Sequence, residues 1–150
     1  MKRTIALLFL MLVTEAAYSS TSDPADVSQA YSYLNKLRVR AGLTEFTKNP
    51  QLEKSAANHA NYLADNLIEG HFETQRTPGF TGVEPKDRTS YAGYRSLTVS
   101  ENVSSGNVDS LDSIDGLMSA IYHRLGFLDL VNNEVGIGSG RVSQPNPFSA

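Results

Sequence analysis

Cysteine is absent from this 150-residue sequence, and so is tryptophan. Without cysteine there is no disulfide framework, no thiolate chemistry and no attachment point for a lipoprotein anchor, so the fold must stand on its apolar core. Basic character is also scarce. The chain carries 13 Lys and Arg against 16 Asp and Glu, with no basic stripe, which makes nucleic acid a poor partner. An apolar run from Ile5 to Val13 is too short to span a bilayer. HExxH is missing, and no serine sits in a recognisable nucleophile elbow.

What is present at the N-terminus has the order of a secretory signal. Lys2-Arg3 is followed by the apolar run and then by small residues through Ala16-Ala17-Tyr18-Ser19. Residues 1–19 are therefore read as a signal peptide, and 20–150 as one domain with its core at about 27–141. The product is expected to be secreted or periplasmic, without a transmembrane segment. A cysteine-free exported domain suits a bacterial route. Removing Lys2 and Arg3 from the 13 basic residues and Glu15 from the 16 acidic ones leaves a net charge of −4.

Periodicity predicts a first helix from about Ala25 to Ala41, capped by Asp23, with Val27, Ala30, Tyr31, Leu34, Leu37 and Arg38 on one face. Asn49-Pro50 has the form of a helix start. The second helix should run to Leu67 or Ile68 on a stripe of Leu52, Ala56, Ala60, Leu63, Ala64 and Leu67. His59 lies beside that stripe and is read as a structural histidine standing apart from any site. Residues 74–84 form a loop, Pro85–Ala92 a short helix ended by Gly93, Leu97–Val103 a half-buried strand and Ser110–His123 a third long helix. A turn is expected at Gly126. Val135-Gly136-Ile137-Gly138 alternates apolar residues with glycine, so one face can pack while the other admits backbone or ligand.

Three polar clusters interrupt this pattern: Gly70-His71-Phe72-Glu73, Ser100-Glu101-Asn102-Val103 and Tyr122-His123-Arg124. Each falls at a segment end or within an apolar run, where a fold can bring side chains to one cleft. In strict alternation Glu101 shares a face with Val99 and Val103, and a carboxylate there needs a partner.

The order LNKLRVRAGL, LxxxAxxHA, GHFE, SENV and YHR followed by EVGIG resembles the CAP superfamily of cysteine-rich secretory, antigen 5 and pathogenesis-related proteins, in its cysteine-free bacterial SCP-like branch, from about Tyr31 to Gly140. The resemblance implies an α+β fold, a three-layer α-β-α sandwich around a small, mostly antiparallel sheet. It also implies a cleft of His71, Glu101 and His123. Two departures stand out. The family's second acid is replaced by the apolar stretch Leu117 to Tyr122, and only nine residues follow Arg141 where members continue into a last strand. The domain is then either truncated there or left with an unpaired edge.

Two imidazoles, His71 and His123, can ligate zinc or a similar divalent cation, weakly for want of the fourth ligand, with Glu101 as ligand or orienting group. The favoured reading is a secreted ligand-binding or interaction module whose partner is a small molecule, a lipid or a cell-envelope component. The alternative is a metal-assisted peptidase or esterase with Glu101 as general base on a bound water.

Overall fold

The computed structural model describes residues 24–142. The signal-peptide reading, the Asp23 cap and the tail beyond Val142 lie outside these residues.

Helix α1, Pro24–Arg40, begins at a proline whose missing N–H costs nothing in a first turn. It buries Val27, Ala30, Tyr31, Leu34 and Arg38, with Leu37 packed beside them, which is the face expected from its periodicity. The Arg38 guanidinium is inside because it has partners. Its Nε donates to Thr44 O at 2.9 Å, its Nη1 donates to Phe127 O at 2.7 Å and Asp129 O at 3.1 Å, and it stacks 3.6 Å over the Phe46 ring. Burial lowers its pKa, against the opposing pull of Asp129.

Strand β1, Thr47–Lys48, leads into α2, Pro50–Asn66. Asn49 caps this helix as expected, its side chain accepting from the N–H groups of Gln51 and Leu52 at 3.0 and 3.1 Å. The far end differs from expectation. Leu67 takes a left-handed conformation as C-cap, 74% exposed, so it leaves the buried stripe. The fully buried face of α2 is Ser55, His59 and Tyr62, polar positions that the apolar count passes over.

Helix α3, Pro85–Tyr91, matches its expected span and stops before Gly93 at φ +98°. The expected strand over 97–103 is not formed; the segment is irregular and makes no ladder hydrogen bonds. The expected single helix from Ser110 to His123 is broken at Ala120, which is extended, into α4, Ser110–Ser119, and α5, Ile121–Phe127. Ser119 Oγ bonds back to Asp115 O at 2.9 Å, a contact that bends a helix end. Gly126 consequently lies within α5 rather than in a turn. The break leaves Ile121, Tyr122 and Leu125 exposed and sends Phe127 to the core of Ala30, Leu34, Phe46 and Ile114.

Strand β2, Glu134–Val135, pairs with β1 in parallel, Thr47 opposite Glu134 and Lys48 opposite Val135. The α+β class therefore holds, but the described sheet is two-stranded and parallel, not antiparallel. Parallel neighbours need a long crossover, and the four-helix excursion from α2 to α5 supplies it. The glycines after β2 explain the next contact: a Cβ on Gly136 or Gly138 would overlap the α2 backbone at Leu52–Glu53 or Ala56–Ala57. The segment thus lies on α2 at backbone distance.

Candidate functional site

Helix α2 turns His59 inward, and the chain after α2 folds back along that face. The ring is 3% exposed; Nδ1 lies 2.9 Å from Glu73 Oε1 and Nε2 lies 3.1 Å from Gly70 O. Glu73 is buried in turn. Its Oε2 accepts from the Thr81 N–H at 2.6 Å and the Gly82 N–H at 3.4 Å. The loop can bring these amides so near only because residue 82 is glycine; a Cβ there would collide with Asp87 and Arg88 at the start of α3.

Helix α3 contributes Arg88, whose side chain is fully buried. Nη2 donates to Glu101 Oε2 at 2.6 Å, Nη1 to His71 O at 2.9 Å and Val83 O at 3.3 Å, and Nε stands 3.7 Å from Glu73 Oε1. The other oxygen of Glu101 lies 2.9 Å from His71 Nδ1 and 3.9 Å from His59 Nε2. The Glu101 side chain is 19% exposed and that of His71 is 39% exposed, so the cluster opens to solvent at His71.

The structure therefore joins His71 to Glu101 directly. His123, in the first turn of α5, bonds the neighbouring residue instead: its Nδ1 is 3.1 Å from Asn102 Oδ1, while Asn102 Nδ2 donates to His123 O at 3.0 Å. His59 is the buried structural histidine expected, with partners for both nitrogens, but it does not stand apart: Glu73 and Glu101 tie it to the same charged cluster. Arg88 went unnoticed in the sequence, and Asn102 was noticed only as a member of the Ser100–Val103 cluster. A signal for Arg88 existed: an inward carboxylate at Glu101 demands a cation, and the short helix between the two clusters offers two basic residues, Lys86 and Arg88.

These donors do not fit a resident metal ion. Among the described residues no three His, Asp or Glu side chains are grouped to hold one. Glu101 bonds Arg88 and lies against His71 Nδ1, while His123 Nδ1 lies against Asn102.

Beside the cluster lies a cavity of about 690 Å³ between α1, α2, α4 and the 98–109 segment. Leu34, Leu52, Leu63, Ile114, Leu117 and Phe127 give it apolar walls, and His59 and Glu101 reach its lining.

Comparison with known proteins adds the following. The model of the CAP, or cysteine-rich secretory protein, family matches residues 31–146. A solved structure of an extracellular protein containing a SCP domain, from Bacillus anthracis str. Ames, is similar in fold, with a TM-score of 0.69 at 21% identity over 77% of this chain and 37% of that one. This chain thus spans well under half of that protein, and the likeness concerns the fold. Curated proteins give no match.

Proposed function

The chain belongs to the cysteine-rich secretory protein (CAP) family, and from that premise we propose that it is an exported binding module that takes a small, largely apolar molecule into the cavity beside Glu101. One observation carries this reading: the cavity volume falls within the range of ligand pockets, and apolar side chains of α1, α2 and α4 share its lining with polar groups that include His59 and Glu101. Export draws support from the signal-like residues 1–19 and from the extracellular description of the structural relative.

The hydrolase alternative draws less support. Both oxygens of Glu101 already have a partner, His71 for one and Arg88 for the other, so a water would have to share them. Among the described residues, neither His71 nor His123 hydrogen-bonds a serine or threonine hydroxyl.

A titration with a polarity-sensitive fluorescent fatty acid tests the proposal. Saturable, one-to-one emission enhancement is expected, and Leu117→Trp, which fills the cavity from α4, should weaken it at least tenfold. Absence of saturation with folded protein, or equal binding by Leu117→Trp, would refute it.

A further inference from the structure

We propose that the cavity discriminates by charge, preferring an apolar molecule that carries an ammonium group to one that carries a carboxylate, and that Glu134 receives the cation. The proposal rests on the apolar-ligand reading and names the ligand class within it. Among the described residues the lining holds five carboxylates, Asp26, Glu69, Glu101, Asp109 and Glu134, against one Lys or Arg side chain, Arg141. Glu101 has its cation in Arg88. Neutral donors hold the others. Asp26 accepts from the Ser110 N–H at 3.0 Å and Oγ at 2.5 Å, Glu69 from Ser105 Oγ at 2.6 Å, and Asp109 from the Asp112 N–H at 2.8 Å. A carboxylate entering this field leaves water to meet like charge, whereas an ammonium meets opposite charge. Repulsion of the wrong head group is itself a source of selectivity.

Position singles out Glu134. Glu69 and Asp109 are exposed, where solvent weakens an ion pair. Asp26 already faces the first-turn amide of α4, whose partial positive charge offsets part of its own. Glu134 is half-buried on β2 and held on both oxygens, Asn49 Nδ2 donating to Oε1 at 3.1 Å and the Tyr94 hydroxyl to Oε2 at 2.9 Å. The bond to Glu134, aided by burial, pushes the Tyr94 pKa up, so the phenol stays a donor. Two bonds fill two of the roughly four lone-pair sites of a carboxylate, and an ammonium can join without displacing either donor. With both oxygens already fixed, little further ordering opposes binding. Tyr94, Phe46 and Leu52 share the lining with Glu134 and offer the chain of such an amine an apolar wall.

Calorimetric titration of the full chain with decylamine, decanol and decanoate tests this, below their aggregation concentrations and at about pH 7, where the amine and the acid are both charged. The amine should bind about tenfold more tightly than the acid, the effect of one charge-assisted contact, with the alcohol between them. Glu134→Gln keeps the size and removes the charge, and should erase most of the difference between amine and acid. Equal binding of all three, or tightest binding of the acid, overturns the proposal while the apolar-ligand reading stands. Binding of none by folded protein refutes both. An amine preference that persists undiminished in Glu134→Gln overturns the role of Glu134. Should that variant fail to fold, Glu134→Asp draws the charge back by one methylene and should reduce the preference instead; an unchanged preference there overturns the same role.

Discussion

Arg88 shows how one buried charge can organise a site. Its guanidinium bonds Glu101, lies beside Glu73 and holds the His71 carbonyl, so its removal would leave the inward Glu101 carboxylate without its cationic partner. We expect Arg88→Ala to destabilise the fold by about 3–5 kcal/mol in denaturant unfolding, the usual penalty for orphaning one partner of a buried pair; a loss below about 1 kcal/mol would contradict this account. Asp129 illustrates the exposed case. Its carboxylate accepts from the N–H groups of Asn132 and Val131, at 2.8 and 2.6 Å, and these bonds lower its pKa. A depressed carboxylate contributes stability above the ordinary Asp value of about 3.9, and that contribution disappears as pH falls through the folded value. An NMR titration should place the Asp129 midpoint below that of an ordinary aspartate; a midpoint at or above it would show the turn not to depend on the charge.

At the scale of elements, glycine gives opposite expectations at two positions. Gly138 presses on the α2 backbone at Ala56 and Ala57, and Gly138→Ala should cost about 1–3 kcal/mol through overpacking. Gly116, inside α4 with nothing near its missing Cβ, should respond the other way: Gly116→Ala is expected to stabilise by about 0.5–1 kcal/mol. Thermal melts of the two variants test both signs. Two of these elements were legible in the sequence because their signals are local. The α1 face and the Asn49 cap follow from spacing and from one side chain's reach. The broken helix at Ala120 and the irregular 97–103 segment were not legible, since alternation and periodicity there are overridden by the bonding of Glu101 and Asn102 to distant residues.

For the whole molecule, the cavity makes ligand binding and stability one question. A ligand that binds only the folded chain at a hundred times its Kd adds about 2.7 kcal/mol. The melting temperature should therefore rise with fatty-acid concentration in the parent and barely move in Leu117→Trp. A parallel rise in both would place binding elsewhere on the surface, where Ile121, Tyr122 and Leu125 are exposed.

The sequence by itself determined the α+β class, the α1 core face, the start of α2, the glycine-dependent packing after β2, and the family, because each depends on neighbours within a few residues or on motifs in fixed order. It also singled out His71, Glu101 and His123 as candidates for one cleft. Only the tertiary structure decided that the His71–Glu101 pair is governed by Arg88, that His59 shares the cluster, that His123 bonds Asn102, and that β1 and β2 run parallel. The physical reason is common to all four. Charge balance among buried groups and the direction of strand pairing are set by residues 13 to 87 positions apart, and no local pattern encodes which of them will meet.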